Sequence, residues 1–170
     1  MKLRLLILFS SAFLCSSFNY QNQTARLCKS NEEVIFSFLL PRNHKIVSFC
    51  KDKKDKYIVY RFGTLDKIEF EYPKQLDSNS WTNFKYYSIH RGGGNKYDGM
   101  GDISMTFTND NVKYKIFHQW QDENKTNEIG INVTFNGKIT KLKGNLNTQM
   151  GALQDLDFES DKIKNTYEDE

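Results

Sequence analysis

From residue 34 onward the chain carries successive short runs in which apolar side chains recur at every second position. Val34, Phe36, Phe38 and Leu40 alternate until Pro41, and residues 45–50 follow after the turn residues Arg42, Asn43 and His44. Residues 57–62 (YIVYRF) are β-branched and aromatic and stop at Gly63. Ile68, Phe70 and Tyr72 alternate with Lys67, Glu69 and Glu71 up to Pro73. Residues 84–90 form a further aromatic run. Ile103, Met105 and Phe107 alternate with Asp102, Ser104, Thr106 and Thr108. Val112, Tyr114 and Ile116 return after Asn109, Asp110 and Asn111, and Ile129, Ile131, Val133 and Phe135 form the next row. Asn136-Gly137 is the strongest short hairpin signal, a type I′ turn, and residues 139–143 lead back from it. A period of two puts successive side chains on opposite faces of a strand.

About nine short strands between turn signals predict an all-β fold, an antiparallel sandwich or barrel. One domain is expected over residues 28–146, with residues 147–170 a loosely ordered acidic tail. Residues 148–158 could hold one or two helical turns, weakened by Asp and Gly. The predicted core is Phe36, Ile68, Phe70, Ile103, Met105, Phe107, Tyr114, Ile116, Val133 and Phe135, each on the apolar side of its run.

The N-terminus reads as an address. Lys2 and Arg4 precede the apolar residues 5–14, and the small residues Ser16 and Ser17 follow. That layout is a secretory signal peptide over residues 1–17, and an exported protein, periplasmic or secreted, is expected. Ten apolar residues are too few to span a bilayer, which takes about 20, so no membrane span is expected. Cys15 offers the alternative of lipid anchoring. A lipobox wants a small residue just before the Cys and Leu three before it, whereas Leu14 and Ala12 stand there in reverse.

Charge adds little. The 24 basic residues face 21 acidic ones, too even a balance for a dedicated nucleic-acid binder, and no nucleic-acid partner is expected. Residues 155–170 hold seven acids and two lysines, most simply a solvated terminus. Past Cys15 two cysteines remain, Cys28 and Cys50, and export predicts that they pair. A zinc site would need four ligands, and no metal or cofactor is expected.

The order Cys28, Val34-Ile35-Phe36-Ser37, Ser48-Phe49-Cys50, Tyr60-Arg61-Phe62-Gly63, Ile68-Glu69 and Pro73 resembles a group of small uncharacterised bacterial proteins. These are secreted or periplasmic β-rich proteins with a Cys…VFS…SxC…YRFG…E…P pattern and a later glycine-pair loop. Some carry a further Cys just after the VFS strand. Phe38 stands there in this chain, so the resemblance implies no second disulfide. It implies an exported β-fold and no particular activity.

Candidate chemistry concentrates in one loop. His90 and Arg91 precede Gly92, Gly93 and Gly94, and Lys96 follows. Three glycines expose backbone N–H groups between two cations, a nest that could hold a phosphate or carboxylate. The P-loop spacing is missing, and a plain connector is the simpler alternative. His118 continues the row of Ile116 and Trp120, either as a core or rim histidine or as a general base at a barrel mouth. Glu69 and Glu71 share one strand face and should point to water. Lys51, Lys53, Lys54 and Lys56 alternate with Asp52 and Asp55 at a hairpin tip. No catalytic residues are assigned, since no nucleophile elbow or metalloprotease signature is present.

The sequence therefore names no function. The leading expectation is a macromolecule-binding β-domain: an envelope component, an inhibitor or an immunity-type protein. The alternative is a small-ligand binder or hydrolytic enzyme built on His90, Arg91 and the glycine loop. Convergence of that loop, His118 and a carboxylate on one pocket would favour the alternative. The partner, an unknown protein or envelope component, and the oligomeric state stay open.

Overall fold

The computed structural model describes residues 26–94 and 98–166. The alternating runs pair into two separate five-stranded antiparallel sheets, a sandwich and not a closed barrel. The first sheet is a meander of β1 (Glu32–Leu40), β2 (Lys45–Asp52), β3 (Ile58–Gly63) and β4 (Ile68–Tyr72). The 3₁₀ turn Ser78–Asn83 carries the chain across to the second sheet. That sheet is a meander of β5 (Lys85–Arg91), β6 (Met100–Asn109), β7 (Val112–Gln121), β8 (Thr126–Phe135) and β9 (Lys138–Lys143). The chain then crosses back, and β10 (Met150–Gly151) pairs with β1 at the edge of the first sheet.

Turn chemistry fixes the register. Asn136 and Gly137 take φ of 48° and 76°, and Asp110 and Asn111 take 47° and 62°. These are the positive angles of type I′ turns, whose twist matches that of the strands they join. Ten-residue β6 and β7 consequently pair along their whole length, and β8 pairs with β7 from Thr126 to Thr134.

Between the sheets lies an aromatic core. Phe107 stacks on Tyr72 at 4.4 Å and on Tyr114 at 4.8 Å, and Tyr60 tilts against it at 5.0 Å. Offset ring pairs of this kind add to the stabilisation from burial alone. Of the predicted core, Phe36, Ile103, Met105, Phe107 and Ile116 are buried, and Phe70, Tyr114 and Val133 pack half-buried against them. Ile68 and Phe135 are exposed instead, at 41% and 53%. Both stand at strand ends, Ile68 opening β4 at the edge of its sheet and Phe135 at the tip of the β8–β9 hairpin.

One face assignment also changes. A β-bulge between Val34 and Phe36 shifts the β1 register, so Val34 pairs with Cys50 whereas Phe36 pairs with Phe49. Alternation in β1 thus reverses at the bulge: Glu32 and Val34 share the outer face with Ser37 and Leu39, and Phe36 and Phe38 point inward. Bulges of this kind insert one residue and re-aim the side chains beyond them.

The expectation of a loose tail from residue 147 is corrected over residues 147–166. β10 joins the first sheet, and the 3₁₀ segment Leu153–Glu159 buries Leu153 and Leu156. Ile163 is buried as well. Three apolar side chains in an acidic stretch are enough to dock it, because burying each contributes roughly 1.5–3 kcal/mol.

Candidate functional site

The outer face of the first sheet is sealed. Ser37, Ser48, Arg61 and Glu71 form one row across β1 to β4, fixed by the strand register. Ser37 and Ser48 hydroxyls meet at 2.7 Å, and the Leu27 N–H donates to Ser48 Oγ at 3.0 Å. Arg61 has no exposed side-chain surface. Its Nη1 donates to Glu32 Oε2 at 2.5 Å, its Nη2 to Glu32 Oε1 at 2.8 Å and its Nε to Glu71 Oε2 at 2.6 Å. The Cys28–Cys50 disulfide lies beside this row and ties the N-terminal segment down over it. Burial by itself would raise the Glu32 pKa; hydrogen bonds from Arg61, the Lys29 N–H and Tyr57 outweigh it and hold the carboxyl below its ordinary range. The residues of the Cys…VFS…SxC…YRFG pattern are therefore architectural. Gly63 belongs to the same logic, because a Cβ there would stand 2.2 Å from the Lys67 carbonyl oxygen.

Of the two strand carboxylates, only Glu69 keeps the expected solvent-facing position, salt-bridged to Lys45 at 2.6 Å. Glu71 is corrected to a partner of buried Arg61. A further charged cluster was hidden in the predicted hairpin tip. Lys51 holds Glu33 at 3.1 Å, Asp55 at 3.0 Å and the carboxylate of Glu159. Burial would lower the Lys51 pKa, and the three carboxylates outweigh it and push it above the ordinary value. The acidic C-terminal segment thus folds onto a lysine of the body.

The glycine loop is only partly within the described residues, and Lys96 lies outside them. None of its described glycines has a positive φ. For Gly93, Gly99 and Gly101 the requirement is space. Gly93 and Gly99 lie back to back against Asp122, whose Oδ2 accepts the Gly99 N–H at 3.0 Å. A carboxylate of the chain itself therefore occupies the Gly99 amide. A Cβ on Gly101 would stand 2.1 Å from the Trp120 ring, while a Cβ on Gly92 or Gly94 would meet nothing within 4 Å among the described residues. Arg91 Nε donates to the Asp98 carbonyl at 3.1 Å.

His90 leaves the loop and faces a cleft of about 550 Å³ between β5 and the C-terminal segment. Asp157 accepts the Tyr86 hydroxyl at 2.8 Å and lies 3.4 Å from Ser88 Oγ and 3.7 Å from His90 Nδ1. Ser88 Oγ also meets His90 Nδ1, at 3.4 Å. A hydrolytic relay needs the carboxylate on one ring nitrogen and the hydroxyl on the other. Here both address Nδ1, and Ser88 is buried. Asn165 donates to the Ser88 carbonyl and accepts its N–H, so the group serves to lock the C-terminal segment along edge strand β5.

His118 is a rim histidine. It stacks on Phe36 with planes 16° apart, and Nε2 meets Asn127 Oδ1 at 3.0 Å. Burial lowers its pKa. Neither His118 nor Arg91 nor the three consecutive glycines line the His90 cleft. The three features distribute over one end of the second sheet and do not converge.

The outer face of the second sheet is the counterpart of the sealed one. Register places Lys85, Thr106, Lys115, Asn132 and Lys141 in one row across all five strands. The lysines sit on alternate strands, about 9.6 Å apart. Lys113 stands in the adjoining row and Lys143 in the row on the other side. Lys85, Lys113, Lys141 and Lys143 are exposed and Lys115 is half-buried. Phe117, buried against Gly130, lies 5.1 Å beneath the Lys141 ammonium. Sequence reading missed this face because each lysine, taken alone, is an ordinary solvated strand position; only strand pairing aligns them.

Among the described residues no helix is long and apolar enough to cross a membrane. No protein-family model, curated protein or solved structure matches this chain.

Proposed function

We propose that this chain is an exported macromolecule-binding domain that uses the outer face of its second sheet to recognise an acidic partner protein. The observation that carries the reading is the contrast between the two outer faces. One is closed by a disulfide-clipped segment over a buried ion cluster; the other presents Lys85, Lys113, Lys115, Lys141 and Lys143 on a rigid five-stranded platform. Among the described strand residues, Asp102 and Glu128 are the carboxylates on that face, in the row of Ile89 and Gln119; Glu128 pairs with Lys141 and Lys143 and Asp102 lies 3.9 Å from Lys115, so five lysines face two acids. Fixed like charges on a flat surface steer an oppositely charged partner and set its register. The signal-like N-terminus, the disulfide and the resemblance to exported bacterial proteins support the export half of the reading.

The test compares retention of envelope or secreted proteins on the immobilised wild type with that on Lys85→Glu/Lys113→Glu/Lys115→Glu. A Lys67→Glu variant, placed away from the face, is the control. A specific acidic protein held by the wild type and the control at physiological salt, and lost from the triple variant, supports the proposal. Equal retention by all three, or retention only of nucleic acid, overturns it.

A further inference from the structure

A cavity of about 710 Å³ lies at the end of the sandwich, between the β1–β2 turn and the segment after β9, where Lys141 ends the lysine row. Its walls come from both sheets. The Gly144 N–H donates to the Ile129 carbonyl, the Asn145 N–H to the Leu39 carbonyl, and the Leu39 N–H to Thr148 Oγ1. These bonds clamp the segment after β9 across the gap between sheets, so the walls are held by backbone. Gly144 presses flat on Phe38, where a Cβ would stand 2.5 Å from the ring.

Chemically the cavity has two parts. Leu40, Pro41, Leu142 and Leu146 supply an apolar floor; Arg42, Lys141 and Lys143 supply the charged rim. Glu128 already holds Lys141 at 2.5 Å and Lys143 at 3.2 Å. Arg42 is different: it is exposed on the turn and enters no hydrogen bond or ion pair among the described residues. A guanidinium fits a carboxylate with two parallel hydrogen bonds, which an ammonium does not. Small-ligand sites generally occupy about 300–1,000 Å³ and combine apolar walls with a few oriented polar groups.

From this geometry we infer that the cavity binds a medium-chain carboxylate amphiphile, its apolar body on Leu40, Leu142 and Leu146 and its carboxylate on Arg42. Lys141 and Lys143 share the single Glu128 carboxylate, so the pair leaves the rim net positive, while Arg42 has no such partner among the described residues. The cavity shares Lys141 and Lys143 with the lysine face, but the inference rests on Arg42 and Leu146, which do not lie on that face, and Lys85, Lys113 and Lys115 do not line the cavity.

Calorimetric titration of the full chain with decanoate tests it, with decanol and decyltrimethylammonium as controls of the same apolar body. Saturable decanoate binding is expected, at least about tenfold tighter than either control. Arg42→Glu should weaken it about tenfold, while Lys85→Glu/Lys115→Glu leaves it unchanged. Methyl resonances of Leu142 and Leu146 should shift with decanoate, a readout that does not depend on any variant folding. No saturable binding up to about 1 mM, equal affinity for all three amphiphiles, or shifts confined to other methyls overturns the inference.

Discussion

Arg61 is the residue on which the first sheet depends. It interrupts the apolar run of residues 57–62, and in water it would be an unremarkable strand cation. In the fold it has no exposed surface and is matched by Glu32, Glu71 and the Leu27 carbonyl. Removing one partner of a buried pair strands the other, which costs about 3–5 kcal/mol. Arg61→Leu should therefore lower unfolding stability by about that much at neutral pH, measured by urea denaturation. The pH dependence carries the sign. Glu32 is held below its ordinary value of 4.5, so its contribution is present above that pH and is lost as pH falls through the folded value. In Arg61→Leu the isolated Glu32 carboxyl, buried without its cation, is better tolerated once protonated. The difference between variant and wild type should accordingly shrink between neutral pH and about pH 4. A constant difference across that range would place the loss in packing and not in the ion pair.

At the scale of elements, the N-terminal segment and the disulfide act together. Residues 26–31 have no strand pairing of their own, and they are held by Leu27 packed on Ile46 with Leu39 alongside, by the Ser48 and Arg61 bonds to the Leu27 backbone, by Asn31 on Asp52 and Tyr57, and by Cys28–Cys50. A link between residues 22 apart contributes about 3 kcal/mol by the chain-entropy estimate. Thiol counting on denatured, unreduced protein should find no reactive thiol from this pair. Cys28→Ser/Cys50→Ser should lose about 3 kcal/mol and, as the cover over Arg61 frays, gain hydrogen exchange at the Leu27 N–H. Two titratable thiols in the wild type would remove the basis for both expectations.

For the whole molecule, the C-terminal segment is the closing piece. It joins both sheets: β10 extends the first sheet at β1, and Asn165 and Thr166 bond the backbone of β5 at the edge of the second. Between them Leu153, Leu156 and Ile163 enter the core, and Glu159 grips Lys51. Truncation after Ala152 should leave β5 as a bare edge beside an opened core. Bare edges template intermolecular pairing. The expected result is a clearly lowered melting temperature and concentration-dependent association by light scattering. A truncated chain that stays monomeric and melts as the full chain does would show that the two sheets close without it.

Much of the fold was legible because its signals are local. Period-two alternation, Asn136-Gly137 and Asn109-Asp110-Asn111 specified the strands and their hairpins, since side-chain alternation and positive φ are properties of neighbouring residues. The nine expected strands all form, and the two cysteines that could pair do so. What escaped were relations between distant residues. The β1 bulge reversed the face of Val34 through one unpaired residue that no alternation count detects. Glu71 became a partner of Arg61, and not a solvated carboxylate, only because β3 and β4 bring them opposite each other. The glycine loop drew notice for its composition, but Gly93, Gly99 and Gly101 answer to Asp122 and Trp120, beside and on β7. The lysine row and the Arg42 cavity exist only after five strands are in register and two sheets are stacked. Sequence by itself determined the elements, because their physics acts over a few residues. Which charges are buried, which face stays open and where a ligand could rest were decided by tertiary structure, because those properties belong to surfaces assembled from residues far apart in the chain.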